Sequence, residues 1–174
     1  MKTARVVIGA MVVLGLAGGG WWWFFGRGAA RSAMFTVNWR GKSAGTMELP
    51  ATLNWCPVTR IGVLEAMAGD SGVALLLYER DSLTAGPHAV VSPDLSAGAP
   101  KPAASFVMRW LRSAPDTALT GFRSESGTAR IQFVGGKASG DVNARMRGIG
   151  GTDSLMVQGK FSGVPVVTTA KGCT

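Results

Sequence analysis

A single histidine, two cysteines and ten carboxylates among 174 residues leave this chain short of the side chains that carry most chemistry. One imidazole and two thiols exclude zinc fingers, multi-histidine metal centres and iron–sulfur clusters held by one chain. The charged fraction, 16%, lies well below the roughly 25% of an ordinary soluble domain. Catalytic constellations are mostly near misses. Gly41-Lys42-Ser43 ends like a phosphate-binding loop, but Thr36 stands where its opening glycine belongs. Gly148-Ile149-Gly150 begins a dinucleotide-like pattern, but Asp153 replaces the last glycine. No Ser-x-x-Lys pair occurs. Glu65, Glu79, Asp81 and Asp141 are carboxylates available for acid–base work, yet their spacing brings no two together. His88, between Pro87 and Ala89, reads as a surface histidine. The expectation is a protein that is not an enzyme and holds no cofactor by specific ligands.

Apolar residues, by contrast, are plentiful at 47%, and mean hydropathy is positive. Residues 6–25, VVIGAMVVLGLAGGGWWWFF, carry no charge. As a helix at about 1.5 Å per residue they would span roughly 30 Å, one hydrocarbon core. Lys2 and Arg5 precede the run, and Arg27 and Arg31 follow it. A cleaved secretory signal is the competing reading. The run outlasts a usual signal core, and Arg31 interrupts the small-residue cleavage candidates between Gly28 and Ala33. Trp21, Trp22, Trp23, Phe24 and Phe25 form a cluster suited to the headgroup level. Those rings are candidates for contact with lipid and, peripherally, with carotenoid or quinone. Gly15 and Gly19 give the small-residue spacing that lets helices approach closely. A retained single-pass anchor over residues 1–31 is expected.

Cys56 and Cys173 lie at opposite ends of the remaining chain, without a CxxC motif or metal-ligand neighbours. They are most simply one disulfide, which requires an oxidising compartment. Residues 32–174 therefore read as one extracytoplasmic domain, in the periplasm on an inner (cytoplasmic) membrane anchor.

From Phe35 onward the hydrophobic period becomes two. Phe35, Val37 and Trp39 alternate with polar residues, as do Ala129, Ile131 and Phe133, then Val142, Ala144 and Met146, then Leu155, Val157 and Phe161. Turn signals fall at Gly69–Gly72, Ser124–Gly127, Gly135–Lys137 and Gly148–Thr152. Val73–Leu77 is apolar on both faces and reads as a central strand. Phe106–Arg112 is the only competing helix, short and flanked by Pro102 and Pro115. The pattern predicts an all-β, antiparallel sandwich or barrel, with a flexible Pro/Ala/Gly-rich loop over residues 92–105.

Charge is uneven. Residues 1–31 carry +4, 32–108 about −1, 109–147 about +4 and 148–174 about +1. If the last three strands form a meander, Arg130, Arg145, Arg147 and Lys160 share one outer face. Such a face suits an acidic protein surface, anionic headgroups or polyanionic glycans, or is simply solvated. Nucleic acid is not an expected partner, because these strands lack interleaved aromatics.

The small anchored layout and the segments Trp55-Cys56-Pro57, Gly69–Gly72 and Leu75–Tyr78 resemble gemmatimonad-type bacterial sequences. Among those, the layout is similar to accessory polypeptides that brace the photosynthetic reaction centre within its light-harvesting rings. The resemblance implies a structural subunit whose partners are other subunits of a membrane complex and the surrounding lipid. Residues 6–25 contain no histidine, so a pigment-carrying antenna role is not expected. The alternative is a free-standing envelope module that binds lipid, glycan or peptide.

Overall fold

The computed structural model describes residues 33–111, 119–169 and Cys173. The described barrel lies within the unit Ala33–Thr174. The expected anchor, with Gly15, Gly19 and Trp21–Phe25, lies outside the described residues. Among those described, no helix is long and apolar enough to cross a membrane.

Among the described residues nine strands follow one another: β1 Met34–Gly41, β2 Gly45–Cys56, β3 Ile61–Ala68, β4 Ser71–Tyr78, β5 Gly86–Val91, β6 Ala103–Leu111, β7 Leu119–Val134, β8 Lys137–Gly148 and β9 Ser154–Thr168. They close into a barrel in the order β1-β2-β3-β4-β6-β5-β7-β8-β9. Phe106–Arg112, the competing helix, falls largely in β6, where Phe106 and Met108 alternate with Val107 and Arg109. Gly69 at φ +57° and the Gly135-Gly136 pair at +57° and +72° supply the backbone that tight hairpins between right-twisted strands require.

The sheet is mixed, which corrects the antiparallel expectation. β1 is short and runs antiparallel to both β2 and β9. Where β1 is absent its two neighbours meet directly, and so must run parallel, at Leu53–Trp55 against Val166–Thr168. The same fork recurs at β5, which is antiparallel to β7 and therefore parallel to β6 at Ala89 and Val90. Beyond the end of β5, β6 pairs with β7 directly. A strand inserted between two others forces the parallel contact, and hydrophobic periodicity carries no record of it.

Two further expectations change. Ser124–Gly127 is not a turn but an irregularity within β7, with the β8 register shifting between Ser124 and Ser126. Gly127, at φ +151°, leaves no room for a Cβ against Asn143 O. The 92–105 segment is only partly a loop. Pro93–Leu95 forms a 3-10 turn, and Ala103, Ala104 and Ser105 are fully buried at the start of β6.

Aromatic side chains fill the barrel axis in two layers. Phe35 on β1 reaches Phe106 on β6 (ring centroids 6.0 Å) and Phe161 on β9 (5.4 Å). Four residues along β1 and β6, Trp39 stacks on Trp110 (5.0 Å), which stacks on Phe122 of β7 (5.3 Å). Since β1 and β6 lie on opposite sides of the ring, these pairs cross the middle of the barrel. The sulfurs of Cys56 and Cys173 lie at bonding distance, with Cα atoms 5.5 Å apart, and close a sequence separation of 117.

Candidate functional site

His88 corrects the sequence reading, for it is buried at 0% exposure beside Glu79 at 1%. Its Nδ1 faces Gly86 O at 3.2 Å; a carbonyl only accepts, so Nδ1 carries a proton. Nε2 meets Glu79 Oε1 at 2.9 Å, and the same oxygen accepts from Thr84 N at 3.0 Å. Glu79 Oε2 has no partner. Solvent does not reach the pair, and its contacts tie the residues after β4 to β5. It acts as a structural clasp. Glu65, Asp81 and Asp141 do not join it: Glu65 and Asp141 lie outside on β3 and β8, and Asp81 faces Arg60 at 4.0 Å.

Residues 41–45 read Gly-Lys-Ser-Ala-Gly, the spacing of a nucleophile elbow. The elbow needs a strand-to-helix turn, whereas these residues connect two hairpin strands, β1 and β2. Ser43 is exposed and Lys42 binds Asp153 at 3.3 Å. No group of three or more potential metal ligands occurs among the described residues.

The outside of the barrel has two contrasting faces. Over β3, β4, β6 and β7 lies a groove of about 590 Å³. Its floor is made of small or short residues: Gly72 and Ala74 on β4, Val107 on β6 and Gly121 on β7. Met67 and Ile149 form walls; a Cβ on Gly72 would strike Met67 Sδ, and one on Gly121 would come within 3.1 Å of Ile149 Cδ1. Arg109 lies in register between Gly72 and Gly121. Ile149 is 66% exposed, and Leu119 and Leu111 at the same end are also exposed. No protein-family model, curated protein or solved structure matches the chain. Function is therefore read from these surfaces.

The second face covers β2, β1, β9, β8 and β7. The four expected cations are here: Arg130 on β7, Arg145 and Arg147 on β8, and Lys160 on β9, all exposed. They are partly offset. Arg145 and Arg147 both approach Glu125, at 3.4 and 2.6 Å, while Asp141 lies in register between Arg130 and Lys160. The sequence reading missed Arg40 on β1, in register with Met156, which is in turn in register with Arg145. A row of uncharged polar residues runs beside them: Thr46, Asn38, Gln158, Asn143 and Thr128, one per strand in mutual register. The alternation showed which of these point outward; strand order, which sequence did not supply, puts them in one row.

Proposed function

We propose that this chain is a non-catalytic, membrane-anchored structural subunit whose extracytoplasmic β-barrel braces a larger membrane complex. The observation that carries the reading is the groove over β3, β4, β6 and β7, floored by small residues, bordered by exposed Ile149 and Leu119, and lined also by the charged Glu65 and Arg109. A largely apolar groove with exposed aliphatic side chains at its border favours contact with another polypeptide. The aromatic layers support the same reading, because they occupy the axis where a binding barrel would hold its ligand. The burial of His88 and Glu79 keeps this pair from contact with a substrate.

In this account residues 6–25 anchor the chain in the inner membrane, with Gly15 and Gly19 against a neighbouring helix and Trp21–Phe25 at the lipid interface. The disulfide-distance cysteine pair supports a periplasmic barrel. A photosynthetic reaction-centre complex is the assembly we favour, from the sequence resemblance. The test is co-purification in mild detergent of the wild-type chain and of Val107→Glu, which places a carboxylate on the groove floor. Wild type should bring stoichiometric partners, and the variant, folded by circular dichroism, should lose them. Retention of every partner by the variant would remove the groove from the account.

A second reading, a free-standing envelope module, draws on the polar row across the other face. Its version with a ligand inside the barrel is disfavoured by the filled axis.

A further inference from the structure

We propose that the outer face of β1, β9 and β8 is a linear binding site for an extended polysaccharide bearing carboxylates, formed by the Asn38–Gln158–Asn143 row beside Arg40, Met156 and Arg145. This goes beyond the structural-subunit reading and does not depend on it, since the site lies across the barrel from the apolar groove.

The row is uncharged yet rich in donors and acceptors, the chemistry that matches sugar hydroxyls. Two of its amides are already oriented. Asn38 Oδ1 accepts from Thr46 Oγ1 at 2.7 Å, which leaves the Asn38 NH2 group to donate outward. Asn143 Nδ2 donates to Asp141 Oδ2 at 3.3 Å, which leaves its oxygen to accept. Neighbouring strands stand about 4.8 Å apart, close to the length of one sugar ring. A chain lying across the strands would thus meet one amide per sugar.

The adjacent row supplies charge and an apolar platform. Arg40 and Arg145 sit on β1 and β8 with Met156 of β9 between them in register. They are two strand spacings apart, about 10 Å. That is the repeat of every second sugar, at which a two-fold polysaccharide turns its carboxylates to the same side. Guanidinium groups bind carboxylates with two parallel hydrogen bonds. Arg40 makes no ion pair among the described residues, and Arg145 engages Glu125 through Nε, leaving its terminal nitrogens. Met156, 59% exposed, offers an apolar surface to the C–H face of the intervening sugar. The surface is concave here: a depression of about 780 Å³ lies over Asn38, Arg40 and Gln158, and one of about 220 Å³ over Arg40, Arg145 and Met156. An acidic protein patch or lipid headgroup would pair with the arginines but would not need an amide at every strand.

The experiment is titration of the full-length protein in detergent with four soluble probes: an oligomannuronate, a neutral cello-oligosaccharide of equal length, poly-glutamate, and glycerophosphoglycerol as a lipid headgroup. The oligomannuronate should bind saturably, and at least about tenfold more tightly than the other three. Arg40→Ala and Arg145→Ala should each weaken it about tenfold, and Gln158→Ala, which changes no charge, about fivefold, as expected for loss of charged and neutral hydrogen bonds. All three side chains point outward, so unchanged melting curves certify folding. No binding of oligomannuronate overturns the proposal. So does equal binding of poly-glutamate or the headgroup, or a Gln158→Ala variant with wild-type affinity, each of which reduces the face to a general anion surface. None of these results bears on co-purification through the groove.

Discussion

Ser124 holds the point at which β5 ends and β6 and β7 come together. Its Oγ donates to Val91 O at 2.6 Å and accepts from Phe106 N at 3.0 Å, within the buried interior. Ser124→Ala would leave a carbonyl and an amide unsatisfied, and we expect a loss of about 2–4 kcal/mol in urea unfolding. Ser126→Ala, two residues on and exposed, should change stability by less than about 0.5 kcal/mol. Equal effects would refute this role for Ser124. Glu79→Leu should cost a similar amount, about 2–4 kcal/mol, because Thr84 N would lose its acceptor and His88 Nε2 its hydrogen-bond partner. Neither residue was legible in advance. Ser-Glu-Ser-Gly has the composition of a turn, and only its pairing with β8, which follows later in the chain, makes it an irregularity within a strand. Gly86 and Pro87 make His88 look loop-bound, while the carboxylate that buries it lies nine residues away, at the end of another strand.

At the scale of elements, alternation was a reliable guide. It identified β1, the second half of β7, β8 and β9, because each has one face in a dry core, and a period of two is then enforced residue by residue. It was silent on order. The parallel contacts of β2 with β9 and β5 with β6 arise from two short strands ending midway, which is a fact about partners and not about pattern. Cys56 ends β2 and Cys173 follows β9, so their link ties together the ends of that parallel pair. Closing 117 residues, the Cys56–Cys173 link should be worth about 3–5 kcal/mol by loop-closure entropy. Cys56→Ser and Cys173→Ser should therefore each lower stability by that amount, and the double variant by no more than either single one. An additive double variant would show that the cysteines act separately. Glycine is needed at the hairpin tips and at Gly127, where Asn143 O occupies the space a side chain would take.

For the whole molecule, closure of the barrel leaves its surface, not its interior, to meet other molecules. A closed sheet removes the free edges along which strands recruit other strands, so contact must be made by outer faces. These differ in kind: one is grooved, small-residued and largely apolar, with Glu65 and Arg109 in its lining, the other crossed by amide and guanidinium rows. Composition, through the scarcity of histidine and carboxylate, supports only an expectation of contact over catalysis. It did not separate the two faces, because residues from distant strands make up each one. The central claim is that the anchored chain is one component of a stable membrane assembly. Native mass spectrometry of the protein extracted from its own membranes in mild detergent tests it most directly. The account predicts a single species far heavier than the 18.1 kDa chain, containing it in fixed ratio to other subunits; the bare chain alone under those conditions would contradict it.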